Sequence, residues 1–311
     1  MVWTLRMTCS PRTHPNSPLP QLDGVVILDK PSGPTSARCL AALKRLGQKK
    51  IGHAGTLDPM ASGVLLVLLG NATKIAGHLL ADGGKVYSGV FRLGQTTDTW
   101  DKEGNVLAEA PWEHVTPEQI RAAVSGWQGS SEQIVPPYSA AKHQGTPLYK
   151  LARKGQDAPQ KVKRIEISHA EVLETALPYV RFRVACSSGT YIRSLAHSLG
   201  TRLGCGAVLT ELIREYSHPF GLDDACGLEA VMQDPSLLER SVRPIAEALP
   251  HWPQVSVSAG EAARVRNGVA IPCRREGDKA LLLEEGKALA LAQRVETAAG
   301  PCWAVLRGLW N

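Results

Sequence analysis

The sequence predicts a mixed α+β protein in two parts, and three observations carry that prediction. Short apolar or alternating runs that read as strands recur along the chain. Helix starts with explicit capping residues lie between them. From Pro250 onward the pattern changes to short strands around a single capped helix. At 311 residues the chain is long enough for two domains, and 43% hydrophobic against 21% charged residues is an ordinary globular balance. No apolar run approaches the ~20 residues of a membrane helix.

Residues 25–28 (VVIL) read as a first short strand. Asp29-Lys30-Pro31-Ser32-Gly33-Pro34 follows as a loop, and Thr35 or Ser36 caps the next helix. That helix carries Leu40, Leu43 and Leu46 on one face and ends at Gly47. The stretch 52–63, GHAGTLDPMASG, then holds one imidazole (His53), one carboxylate (Asp58) and six small residues. The apolar run 64–69 reads as a buried strand, a rigid base for the loop before it. Missing Cβ atoms let a large ligand approach the backbone closely, and Pro59 biases Asp58 toward an extended conformation. On spacing alone the stretch is also readable as a tight turn with Asp58 as its hydrogen-bonding residue.

Asn71-Ala72-Thr73-Lys74 reads as an N-cap signal for a short helix to Leu80. Residues 85–93 form a strand with Tyr87 inside it, a place where a lone tyrosine usually packs in a core. Asp98, Asp101 and Glu103 lack the spacing of an EF-hand loop, so calcium is rejected. Thr116-Pro117-Glu118-Gln119 combines a cap, Pro at N1 and Gln at N3. Ile120, Val124 and Trp127 form the apolar face of that helix, and Thr146-Pro147 starts another. Residues 165–173 and 179–186 are strands, the second alternating Val180, Phe182 and Val184 with Arg181, Arg183 and Ala185. Thr190 is the expected cap of the next helix. Arg193 then falls in its first turn, where a cation adds to the positive end of the helix dipole unless a carboxylate faces it. Residues 240–249 read as a closing helix. Ser258-Ala259-Gly260-Glu261 is a capping box, with short strands expected at 255–257, 269–271, 281–283, 289–295 and 303–306.

Net charge is +6, and its distribution says more than its size. Between Lys142 and Arg164 seven basic residues face one acid, Asp157. This excess of six equals that of the whole chain, so positive charge is concentrated on one segment. That favours phosphate contacts over a merely solvated loop. The seven cysteines form no C-x-x-C pair, which argues against a zinc site and a disulfide framework. No Walker A loop, no G-x-G-x-x-G with an acidic partner and no metal cluster is present.

Five ordered motifs between Gly24 and Leu249 resemble the TruB family, the bacterial tRNA pseudouridine-55 synthases. Residues 52–63 match G-H-x-G-[TA]-L-D-P-x-A-x-G at every fixed position. Asp29-Lys30-Pro31 matches the opening D-K-P-x-G. Tyr87 with residues 93–104 matches Y-x-x-x-x-x-L-G-x-x-T-D-T-x-D-x-x-G. Residues 187–193 match S-x-G-T-Y-I-R, and Cys205-Gly206-Ala207 with the run to Leu212 completes the pattern. Val135-Pro136-Pro137-Tyr138 varies slightly around the P-P-x-Y of many relatives.

The resemblance implies a mainly antiparallel synthase sheet with flanking helices over 23–249. A disordered tail is expected at 1–22, a basic RNA-binding insertion at about 134–164, and a PUA-like β-barrel at 250–311. It makes Asp58 the catalytic carboxylate, Arg193 its partner and Tyr87 the residue against the target base. His53, Tyr191, Leu212, Lys30 and Lys74 are expected near the substrate, and Lys142, Lys150, Arg153 and Lys154 on the RNA backbone. The implied reaction breaks the C1′–N1 bond of a flipped-out T-loop uridine and joins C1′ to C5, with no cofactor or metal. Whether Asp58 attacks C1′, attacks C6 or removes a sugar proton stays open. The implied setting is a cytoplasmic monomer that acts on the T-arm of tRNA without a membrane or a guide RNA. From a different class, the rival reading is an RNA-binding, tRNA-folding chaperone that does no chemistry.

Overall fold

A computed structural model describes residues 18–81, 83–139, 141–152, 154, 160–298 and 300–310. The fold is mixed α+β. An eleven-stranded sheet forms its larger part and a five-stranded sheet its C-terminal part. The spine of the large sheet runs Cys226–Gly227, Gly24–Lys30, Ser62–Leu69, Ala207–Ser217, Lys85–Leu93, Tyr179–Cys186, Val162–Ala176 and Gly129–Ile134. Pairing along it is antiparallel except at two places. Gly24–Lys30 runs parallel to Cys226–Gly227, and Ser62–Leu69 runs parallel to Ala207–Ser217. The second junction matters most, because Ile213 and Arg214 meet Ser62 and Gly63 at the end of the loop that carries Asp58.

The strands Gly24–Lys30 and Ser62–Leu69 are apolar almost throughout because both faces are covered. Val26, Leu28, Leu65, Val67 and Leu69 point into one core, shared with Leu40 and Leu43 of the helix Ser36–Arg45 and with Leu195 and Leu199 of the helix Ile192–Leu203. The alternate residues Val25, Ile27, Val64, Leu66 and Leu68 point into a second core. Trp252, Leu281, Leu283 and Leu291 of the C-terminal part fill that second core, so the two sheets are packed through it. The small sheet runs Gln254–Ser256, Lys279–Glu284, Lys287–Thr297, Gly300–Gly308 and Ile271–Pro272, with the helix Ala259–Arg266 on its own core around Trp303.

Several elements sit where the sequence predicts them. The strands Lys85–Leu93 and Tyr179–Cys186 keep their expected bounds, with Val180, Phe182 and Val184 buried and their neighbours outward. Both halves of the Thr116 and Ser258 capping boxes form. Four expectations change. Asn71 does not cap a helix, because its buried amide is taken by Asp23 Oδ2 (2.9 Å) and its carbonyl by Lys50. A 3-10 turn, Gly70–Ile75, precedes the helix Ala76–Ala81 instead. Thr190 donates to Ser187 O (2.9 Å), and the N-cap is Tyr191, whose amide is bonded by Gln133. The closing helix is broken into Ser236–Arg240, the two-residue strand Val242–Arg243 and Ile245–Ala248. Pro244 explains the break, since it lacks an N–H and keeps the residue before it extended. The last residues of the expected tail are docked: Leu19 N donates to Leu46 O (2.9 Å) and Leu22 N to Gln48 Oε1 (2.9 Å). Residues 1–17 of that tail lie outside the described residues.

Candidate active site

The loop between the strands Ile51–Ala54 and Ser62–Leu69 holds Asp58 between buried anchors. Leu57, Met60 and Ala61 are buried in the first core. A loop of this composition has carbonyls with no sheet partner, and each needs a donor. Side chains supply them. Ser36 Oγ donates to Leu57 O (3.1 Å) and accepts from Leu57 N (3.0 Å). Ser32 Oγ donates to Met60 O (2.9 Å). Lys30, fully buried, directs its ammonium to Pro31 O (2.9 Å), Pro59 O (3.2 Å) and Ala61 O (2.7 Å). Arg214, also fully buried, closes the two ends of the loop through Nε to Val64 O (2.6 Å) and Nη2 to Gly55 O (2.9 Å). Gly63 has φ +96°, and a Cβ there would collide with the Arg214 backbone, so this close parallel pairing requires glycine.

Arg193 reaches Asp58 across 135 positions of sequence. Nε donates to Asp58 Oδ2 (2.9 Å) and Nη2 to Asp58 Oδ1 (3.1 Å), a two-point fork. Two further N–H groups donate to Thr99 O (Nη1, 3.1 Å) and Tyr138 O (Nη2, 3.0 Å). Arg193 is 5% exposed, whereas the Asp58 side chain is 34% exposed, so the carboxylate opens outward from a fixed cation. The unfavourable first-turn position of Arg193 thus has the carboxylate the helix dipole calls for.

A second acid stands beside this pair, one to which the sequence assigned no role beyond a rejected calcium ligand. Asp101 Oδ2 lies 3.6 Å from Arg193 Nε, while Oδ1 accepts from Thr99 Oγ1 (2.6 Å) and Glu103 N (3.0 Å). Burial pushes the Asp101 carboxyl up, against the opposing pull of the Thr99 bond and Arg193. Glu103 is also raised, by desolvation first and then by Asp101 and Asp58. Its place in the T-D-T-x-D-x-x-G run was the signal for Asp101, and the distance to Arg193 is what gives it meaning.

Tyr87 is buried at the register of Arg214 across the sheet, and burial raises its phenol above the usual range. Leu212, buried, lies across from Gly89, two residues before Arg214 and so on the same face of the strand. Tyr191 is half-buried at the start of its helix, tied by a reciprocal pair of bonds between Gln133 and its backbone (2.7 and 3.0 Å). His53 is half-buried, with Nδ1 lacking a partner among the described residues, and burial followed by the Arg214 charge lowers its pKa. Tyr87 and Tyr191 both lie within reach of the Asp58 charge, and His53 within reach of Arg214. Two others do not face open space. Lys30 is wholly occupied with loop carbonyls, and Lys74 donates to Trp310 O at the C-terminal part. Lys150 is exposed on the short helix Leu148–Ala152, and Lys154 is exposed just beyond it. Arg153 and the Lys142 side chain lie outside the described residues. The start of the basic segment is fixed to the site, since Tyr138 O binds Arg193 and Ile134 O accepts from Ser194 Oγ (2.7 Å).

Residues 44–192 match the model of the TruB family pseudouridylate synthase (N terminal domain). The chain is 63% identical over 301 residues to the tRNA pseudouridine synthase B of Nitratidesulfovibrio vulgaris, covering 94% of this chain and 99% of that one. It is 40% identical over 305 residues to the protein of the same name from Geobacter sulfurreducens, covering 93% and 96%. Among solved structures it is similar to a chain of a Cbf5-Nop10-Gar1 complex, with a TM-score of 0.69, 28% identity and coverage of 92% and 85%. A chain of an H/ACA RNP bound to a substrate RNA containing 2′-deoxyuridine gives a TM-score of 0.68 at 26% identity, covering 93% and 85%.

Proposed function

The chain belongs to the TruB family of pseudouridylate synthases, and we propose that it isomerises a uridine in the T-loop of tRNA, position 55, with Asp58 as the reacting carboxylate. The observation that carries this reading is the Asp58–Arg193 fork at 2.9 and 3.1 Å, with the carboxylate the more exposed partner. A carboxylate that attacks, or takes a proton, must be anionic and aimed. A buried guanidinium fixed by two backbone carbonyls as well as by the carboxylate supplies both the charge and the aim.

The target nucleotide leaves the RNA stack at a cost of a few kcal/mol and enters the pocket between Tyr87, Tyr191 and Leu212. Asp58 acts beside the sugar. The C1′–N1 bond breaks, the base turns against Tyr87, C5 joins C1′ and loses its proton, and N1 takes up a proton in its place. Oxidation state is unchanged and no atoms are gained, so the chain's own residues suffice. His53, at the loop's entry, stands where it would fill or stack on the space the base leaves. The basic segment with Lys150 and Lys154 grips the T-arm backbone, without a guide RNA. Residues 23–249 serve as the catalytic part and 250–311 as a PUA-like RNA-binding unit, in a cytoplasmic monomer.

Tritium release from a tRNA transcript labelled at uracil C5 tests the reading, with wild type and Asp58→Ala side by side. Release of one equivalent by wild type and none by a variant that still binds tRNA is the expected result. Tight binding without release by wild type would leave the non-catalytic chaperone. Release by both proteins would mean that another carboxylate reacts.

A further inference from the structure

Lys30 and Arg214 spend their donors on the carbonyls of the loop, but Lys85 does not. Lys85 lies two positions before Tyr87 on one strand, so it faces the same side about 7 Å further along. It is 6% exposed. Its Nζ donates to Ser188 Oγ at 2.8 Å, which engages one of three ammonium protons. Lys163 approaches the same turn from outside and lays its ammonium over Gly189, whose φ is +84°. Arg214 closes the third side. A Cβ on Gly55 would lie 3.3 Å from Arg214 Nη1 and 3.5 Å from Lys85 Cε.

Three cations therefore converge on a floor of small residues, Gly55, Ser188 and Gly189. The charges acting on Lys85 are Arg214 and Lys163, both of its own sign, with the Cys186 thiol beside them. Among the described residues, no carboxylate forms a salt bridge with any of the three. Burial and these neighbours bring Lys85 down to about 8. A buried ammonium crowded by two like charges is unfavourable in the free protein and becomes favourable once an anion joins it.

We propose that Lys85, Lys163 and the Ser188-Gly189 turn form a phosphodiester-binding subsite that holds a backbone phosphate adjoining the target uridine. This rests on the RNA-modifying reading above. Lys163 and the Ser188 hydroxyl offer the exposed donors, Lys85 the buried one, and Arg214 adds field rather than contact. A phosphodiester is the fitting class because its paired anionic oxygens accept from several donors at once, and glycine at 55 and 189 allows the close approach. Holding a phosphate one strand repeat from Tyr87 would fix how deep the base enters.

The test is binding of a T-arm stem-loop in which one phosphate at a time, on either side of the target uridine, is replaced by a neutral methylphosphonate. Asp58→Ala is used as background in every arm so that turnover does not intervene. One replacement should weaken binding about tenfold, as should Lys85→Met or Lys163→Ala. Applied to a Lys85→Met, Lys163→Ala double variant, that same replacement should cost nothing further. Losses that multiply, or no loss from either replacement, would overturn the subsite. Failure of the functional reading is separable, because it appears as absent C5 tritium release by the wild-type protein whatever the phosphate dependence.

Discussion

Replacing Lys85 with methionine should make the RNA-free protein more stable. An ordinary lysine titrates at 10.5, and Lys85 is brought down to about 8 by burial and by Arg214. That difference corresponds to about 3 kcal/mol of penalty on the charged form at neutral pH. Loss of the bond to Ser188 returns about 1 kcal/mol, so a net gain of about 2 kcal/mol is expected near pH 7. The sign follows from linkage. Between pH 8 and 10.5 the unfolded chain holds a proton on this lysine that the folded chain has released, so wild-type stability rises through that window. The full penalty is present below about pH 8 and is gone above about 10.5. Urea unfolding of both proteins near pH 7 and near pH 10 would read it. Methionine should win clearly at the lower pH, and its advantage should shrink at the higher. A variant no more stable than wild type near pH 7, or one whose advantage does not narrow with pH, would refute the reasoning.

Arg193→Lys keeps the charge but cannot make the fork to both Asp58 oxygens while holding Thr99 O and Tyr138 O, so kcat should fall about 100-fold with a smaller change in binding. Single-turnover kinetics would show it, and near-normal turnover would remove the fork from the mechanism. Gly63→Ala forces a side chain onto φ +96° against the Arg214 backbone and should cost about 3 kcal/mol in urea unfolding. A cost below about 1 kcal/mol would mean that the parallel junction yields easily. Replacing Lys150 and Lys154 with glutamine should flatten the dependence of log K on log salt by about 0.9 per lost phosphate contact. An unchanged slope in filter binding would take the basic segment off the RNA.

Legibility in the sequence tracked how local the cause was. The alternation of Val180, Phe182 and Val184 is a property of one strand, and the Thr116 box of four consecutive residues. Both needed nothing from the rest of the chain. The closing helix failed at Pro244, a local signal that apolar periodicity overshadowed. Asp101 was visible as a motif position and as one of three acids, but without a role, because its meaning depends on Arg193, 92 positions away and brought to it by the helix Ile192–Leu203. Arg214 was invisible for a similar reason. In sequence it is a cation between Ile213 and Glu215 on a strand, which reads as solvent-facing. Parallel pairing with Ser62 and Gly63 turns it inward, onto the loop. Lys30 shows the converse. Its motif singled it out as a residue near the substrate, but motif wording does not say whether a lysine meets a ligand or a carbonyl, and Lys30 meets three carbonyls.

The chemistry of the loop explains why cations, not apolar residues, hold it. A segment of Gly, Pro and Ala around an active carboxylate has few side chains to pack and several carbonyls to satisfy. Lysine and arginine carry three and five N–H donors and no acceptor, so one of them can bind two or three such carbonyls and add no competing acceptor near Asp58. Lys30 does this from one side and Arg214 from the other, while Arg193 binds the carboxylate itself. The groups that set the loop's shape therefore also set the electrostatic field at Asp58, since buried charges act over several ångströms in a low-dielectric site. Truncating Lys30 or Arg214 would change both at once. Geometry and field are separable at Lys85, which binds no loop carbonyl among the described residues and lies beside Arg214.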